Sequence, residues 1–181
     1  MFVFGIAILL GVGAGWLRGG TLRALDQVSV RQIWLLIAAV VLHQAVPYML
    51  GSGPLTGRIE AAVLYAGVLA FLLLNHTLAG AALAAGGAAA NGIASLVAGG
   101  PMPVWSGALG RVPPDVVAHL RQHGIATHQV FAHLVGIRWL GDILPLPAPL
   151  PPGVISVGDI LLAIALAWFL CAAMKPAHIA V

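Results

Sequence analysis

Between Ile33 and Ala98 the only formally charged side chains are Arg58 and Glu60. Backbone placed in hydrocarbon has no water to pair with, so each spanning segment must satisfy its own N–H and C=O groups, and apolar runs of about 20 residues read as membrane-spanning helices. The rest of the chain agrees: it is 61% hydrophobic and 7% charged with a mean hydropathy of +1.04, where an ordinary soluble domain is roughly a quarter charged. A length of 181 residues suits one all-α transmembrane domain, 1–181. The sequence predicts five helices, at about 2–16, 32–50, 59–74, 78–98 and 154–174, with an interfacial or re-entrant helical segment, 99–153, between the fourth and fifth.

The helices differ in what their faces offer. In the first, Ala7, Gly11, Gly15 and Gly19 recur every four residues, a small-residue seam of the kind that lets backbones approach closely in lipid; Gly11, Gly15 and Gly19 could also pair with a partner helix or a second copy of the chain. The first span lacks a basic leader and a cleavage site and is read as retained. Arg18, Arg23 and Arg31 follow it with only Asp26 opposing them, so this loop is expected to be cytoplasmic, the N-terminus outside and the C-terminus cytoplasmic in a multi-pass cell-membrane protein. In the second helix Pro47 predicts a kink, and His43 an interhelical hydrogen bond at that kink, with proton carriage as its alternative. His76 reads as a surface turn residue. The fourth helix is so rich in Ala and Gly that it belongs at the bundle centre, with Asn91 and Ser95 projecting together.

The segment 99–153 departs from membrane-helix composition, with three of the eight Lys/Arg, two of the five acids and four of the seven histidines. Pro113-Pro114 is expected to open a short helix that Gly124 ends, a second amphipathic piece to run from about Thr127 to Leu140, and Pro145 to Pro152 to form an extended strap back to the membrane. Ser156-Val157-Gly158-Asp159 is a capping-box pattern for the last helix, which Lys175-Pro176 would stop. Polar groups near a bilayer are costly unless used or paired. The candidate ligand-binding residues are therefore Asn91, Ser95, Gly99, Gly100, Met102, Asp142 and Asp159. Against this stand structural roles, a helix cap for Asp159 and pairing with Arg138 or Arg111 for Asp142.

A second constellation is Asp115, His119 and His123, spaced so that one helix face carries all three, with His128 or His133 as a further metal ligand. No Glu stands between the histidines as in a His-Glu-x-x-His site, and no other motif implies a cofactor; none is expected. The single Cys171 excludes an intrachain disulfide and a multi-thiolate zinc site. Scattered arginines and a net charge of +3 indicate neither nucleic-acid binding nor a polybasic lipid patch.

Three blocks, Gly-Gly-Pro-Met-Pro-Val at Gly99–Val104, Leu-Gly-Asp-Ile-Leu-Pro-Leu-Pro at Leu140–Pro147 and Ile-Ser-Val-Gly-Asp-Ile-Leu at Ile155–Leu161, resemble the signature blocks of a bacterial family of small multi-pass membrane proteins catalogued only as a domain of unknown function. The resemblance implies membrane location and fold and supplies no activity. The expected function is a non-catalytic membrane protein that binds or passes a small polar or lipid-linked ligand in a pocket under 99–153. Its partners would be the bilayer and that ligand. Two other classes remain: a membrane metalloenzyme using Asp115, His119 and His123, or a structural subunit of a membrane complex.

Overall fold

The fold is built around the Ala- and Gly-rich helix. A computed structural model describes residues 2–51, 53–123, 128–133 and 135–174, with Pro54, His119 and residues 121–123 described by their backbone only. Lys175 and Pro176, expected to stop the last helix, and Gly124, expected to end the short one, lie outside the described residues, as does Thr127. The long helices are α1 (Phe2–Leu17), α2 (Trp34–Leu50), α3 (Pro54–Leu74) and α4 (Ala81–Ala98). Then come strand β1 (Met102–Trp105), the short helix α5 (Pro114–His123) and strands β2 (His128–Phe131), β3 (Asp142–Pro145) and β4 (Val154–Ser156), before α6 (Val157–Ala173) closes the chain. Single turns of 3₁₀ helix fill Leu22–Gln27, Ser106–Arg111 and Gly136–Leu140.

Neighbours run in the order α2, α3, α4, α6, α1, and glycine sets each approach. A Cβ on Gly67 of α3 would meet the Ala39 Cβ of α2 at 2.4 Å, one on Gly92 of α4 would meet Tyr65 of α3 at 3.0 Å, and one on Gly87 of α4 would meet the Gly158 carbonyl of α6 at 2.6 Å. Read along each chain segment, these contacts make the first three pairs antiparallel. The last pair is parallel: Gly11 of α1 lies against Ala167, and Gly15 against Met174 just beyond α6. The seam expected in α1 is thus a packing surface within this chain, occupied by α6. Gly19 is not part of it; it turns the chain out of α1 at φ +77°.

Two side-chain links fix α2 and α3. His43 Nδ1 lies 3.2 Å from the Glu60 carbonyl, the interhelical bond expected of it, and Pro47 sits within α2 as expected. The second link was not foreseen. Asn75, 2% exposed, accepts from the Arg31 amide at 2.8 Å and donates to the carbonyls of Arg31 at 2.8 Å and Phe71 at 2.9 Å. It locks the chain entering α2 onto the end of α3, while His76 is exposed at the turn.

The all-α expectation is corrected by a mixed four-stranded sheet in the order β2-β1-β3-β4. Strand β1 pairs in parallel with β2, Met102 opposite His128 and Trp105 opposite Phe131, and in parallel with β3, Val104 opposite Asp142; β3 and β4 are antiparallel, with a bulge between Asp142 and Leu144. The expected helical piece from Thr127 to Leu140 is instead β2 and a 3₁₀ turn. The proline-rich stretch is a loop joining β3 to β4, not an extended strap: the Leu146 amide donates to the Gly153 carbonyl at 2.9 Å, and Arg111 donates to the carbonyls of Leu146 and Leu150. An arginine fork suits such a loop, whose prolines offer acceptors without amide donors.

The α1–α6 seam makes a direct prediction. Gly11→Ala puts a methyl 2.7 Å from the Ala167 carbonyl oxygen, whereas Gly5→Ala meets nothing within 4 Å. We expect Gly11→Ala to lower the melting temperature, with a cost on the order of 1–3 kcal/mol, and Gly5→Ala to be neutral or to gain up to about 1 kcal/mol from helix propensity. Equal melting temperatures for the two variants in detergent would contradict the seam.

Candidate functional site

The site is assembled where α4 ends and α6 begins. Ser156 caps α6: its Oγ accepts from the Asp159 amide at 2.9 Å, and the Asp159 carboxylate accepts in return from the Ser156 amide at 3.2 Å. The same two side chains engage α4. Ser156 Oγ donates to Asn91 Oδ1 at 2.8 Å, and Asn91 Nδ2 donates to Asp159 Oδ1 at 2.9 Å. Cap and interhelical link are therefore one closed ring of four hydrogen bonds. The fit requires Gly158, since a Cβ there would lie 2.0 Å from Asn91 Oδ1. The capping box read from the sequence is present, and Asp159 is also tied to Asn91.

At the C-terminal end of α4 the chain reverses into β1 through Gly99 and Gly100, at φ +97° and +125°, where residues with a Cβ are strained. The Gly100 amide donates to the Ser95 carbonyl at 2.8 Å, and a Cβ on Gly100 would lie 2.2 Å from the Gly57 carbonyl carbon of α3. This sharp reversal brings Met102 back over Ser95, whose Oγ lies 3.9 Å from the Met102 sulfur.

The sheet then delivers the acid. Asp142 opposes Val104 on one side and Ser156 on the other, so its carboxyl comes down beside the cap of α6. It is 5% exposed. Neither Arg138 nor Arg111 pairs with it: Arg138 lies 4.3 Å over the Phe131 ring, and Arg111 holds the proline loop. Its neighbour is His128, with Nε2 3.4 Å from Asp142 Oδ2. Asn91, Ser95, Gly100, Met102, Asp142 and Asp159 all line one cavity of ≈ 190 Å³. Gly99 lies just outside, in the adjoining groove with Arg58 and Pro101.

Seven lining residues were not among the expected ligand-binding set, among them the titratable His43, Glu60, Tyr65 and His128. His128 had been read as a helper for the metal constellation, but the parallel pairing of β2 with β1 carries it to Asp142. Asp115 sits exposed in the first turn of α5, away from the cavity; the side chains of His119 and His123 lie outside the described residues. Among the described residues no group of three His, Cys, Asp or Glu side chains is placed to hold a metal ion.

Burial governs the electrostatics. It pushes the Asp142 carboxyl up to about 7, with the nearby Asp159 charge adding to the effect. It also lowers the His128 imidazole from its ordinary value, while Asp159 opposes that shift. Desolvation thus favours the neutral form of each partner. A carboxyl with a raised folded pKa binds its proton more tightly folded than unfolded, so the stability it confers is complete below about pH 4 and declines as pH rises toward 7. His128 contributes the opposite slope just below its ordinary value. Asp142→Asn should remove the decline, an effect on the order of a few kcal/mol, read as melting temperature across that range. An unchanged pH profile in the variant would show that Asp142 is not buried as described.

No curated protein and no solved structure matches the chain. A family model does match, over residues 27–171, a span that takes in every wall of the cavity. The kinship read from the three sequence blocks is thereby shown: this chain belongs to DUF5317, a family of unknown function.

Proposed function

We propose that the chain is a five-span integral membrane protein that binds a small polar ligand, free or as the head of a lipid, in the cavity between the bundle and the sheet. The observation that carries this reading is a polar, partly enclosed cavity built from helices whose outer surfaces are apolar. Leu9, Leu17, Trp34, Tyr48, Met49, Leu55 and Leu73 are all strongly exposed, Leu17 at 91% and Tyr48 at 92%, which suits lipid far better than water. Leu55–Leu74 and Ala81–Ala98 are long and apolar enough to cross a membrane. The helices α1, α2 and α6 are apolar but have 16 or 17 residues, or roughly 25 Å at 1.5 Å per residue, slightly short of a hydrocarbon core of about 30 Å. Flanking residues make up such a difference.

The helix directions, taken with the arginines, support one orientation. The end of α1, the loop carrying Arg23 and Arg31, the α3–α4 turn and the end of α6 share one face; the sheet caps the other. Arg18, Arg23 and Arg31 make the first face cytoplasmic under the positive-inside rule, which places the sheet and the cavity mouth outside. Polar side chains at this depth are costly unless they serve a ligand or each other, and the Asn91 ring accounts for only part of those present.

Single cysteines in a Cys171→Ala background test both halves of the proposal in intact cells. Gly110→Cys, on the sheet side with open space around it, should label with an impermeant thiol reagent, and Asp26→Cys only after permeabilisation. Ser95→Cys, 3% exposed in the native residue yet lining the cavity, should react with a small charged reagent from outside, more slowly than Gly110→Cys. Reversed labelling at Gly110 and Asp26 would overturn the topology. An inert Ser95→Cys would overturn the open cavity.

A further inference from the structure

The cavity holds acid without fixed base. Glu60 from α3, Asp142 from β3 and Asp159 from α6 all line it, and among the described residues no Lys or Arg does. Three arginines are engaged away from it: Arg18 donates to Cys171 Sγ at 3.4 Å, Arg111 holds the proline loop and Arg138 stacks on Phe131, while Arg58 lines the adjoining groove, which Glu60 also borders. Asp142 is buried and Glu60 and Asp159 are half-buried, and carboxylates drawn out of water are ordinarily balanced by a cation held nearby. Here Asp159 has the Asn91 amide and the Ser156 backbone amide, and Asp142 has His128, whose own charge is disfavoured by burial.

Size and wall chemistry narrow what could supply the missing charge. A volume of ≈ 190 Å³ equals about six water molecules at ~30 Å³ each, so one bare monovalent ion would leave most of it empty. The acids surround this space without converging, since among the described residues no three metal-binding side chains are placed to hold an ion. Between them lie the Tyr65 side chain, Leu64 and Met102, and an aromatic ring and a thioether favour the methyl or methylene groups of an alkylammonium.

We propose that the cavity selects a small organic cation, a protonated amine or quaternary ammonium, with Asp142, Asp159 and Glu60 as its countercharges and Tyr65 as its apolar wall. This rests on the cavity being a ligand site and adds the class of ligand. It disfavours phosphate-bearing heads, because an anion would sit among three carboxyl groups with no Lys or Arg among the described residues that line the cavity. It also links binding to pH. The titratable groups facing Asp142 are His43 on α2, Glu60 and Tyr65 on α3, His128 on β2 and Asp159 on α6. Acid neutralises Asp142 and charges His128, and both changes oppose a cation.

The test uses the full chain purified in a neutral detergent, titrated with tetramethylammonium or methylammonium chloride against matched sodium chloride, potassium chloride, sodium phosphate and a neutral polyol, with melting temperature and calorimetric heat as readouts. The expected result is saturable binding of an ammonium probe that is about tenfold weaker at pH 5 than at pH 8 and loses about tenfold in affinity, and the larger part of its pH dependence, in Asp142→Asn. Should that variant fail to fold, Glu60→Gln carries the same expectation for affinity. Preference for phosphate, an equal effect of sodium or potassium, or unaltered ammonium binding in a folded variant overturns the proposal. Binding of the polyol alone overturns the ligand class and leaves the cavity as a site. No binding by any probe, together with an inert Ser95→Cys, removes the site itself.

Discussion

One carboxamide joins the two halves of this molecule. Asn91 lies midway along the central helix among alanines and glycines, and through it α4 holds the first turn of α6 from both directions, donating to Asp159 and accepting from Ser156. Because Ser156 is also the last residue of β4, the same bond positions the sheet over the bundle. The β4–β3 register then carries Asp142 to its place. An amide can do this where a carboxylate could not, since it offers a donor and an acceptor on two separate atoms, and the absence of a side chain at Gly158 lets it come close enough.

The composition of α4 follows from its position. It is flanked by α3 and α6 and covered at its end by β1 and the 3₁₀ turn at Gly136–Leu140; a helix with neighbours on so many sides must be thin. Larger side chains instead face outward from α1, α2, α3 and α6. Where hydrocarbon surrounds a bundle, burying apolar area gives no driving force between helices, and close backbone packing with a few polar links takes over. The ring at Asn91, the Asn75 latch and the His43 bond are the polar links of this bundle.

Much of this was legible in the sequence, for physical reasons. Period-four glycine and alanine marked the α1 seam, the Ala and Gly content of α4 marked its central place, and Ser156 to Asp159 spelled out the cap of α6. Asn91, Ser95, Met102, Asp142 and Asp159, grouped by their polarity and their blocks, line one cavity. The sheet was hidden. Its strands have three or four residues, its parallel pairs join segments far apart in sequence, and β1 carries Pro103 in an interior strand, where proline argues against a strand at all. With the sheet unseen, His128 could not be assigned to Asp142, nor Glu60 and Tyr65 to the opposite wall. Asn75 was passed over because a polar residue in a short turn looks like solvent-facing punctuation until its three bonds are counted.

The ring at Asn91 also dictates an order of assembly. Asn91 and Asp159 are 68 residues apart, and Ser156, Asp142 and His128 all arrive after α4, whereas the α2–α3 hairpin is local. A ribosome making this chain releases four apolar helices before any partner for Asn91 exists, and the ring of hydrogen bonds closes only when the final helix is threaded beside the fourth. The cavity is thus a late product of biogenesis, and the last helix acts as the keystone that converts a set of helices into a molecule with an interior.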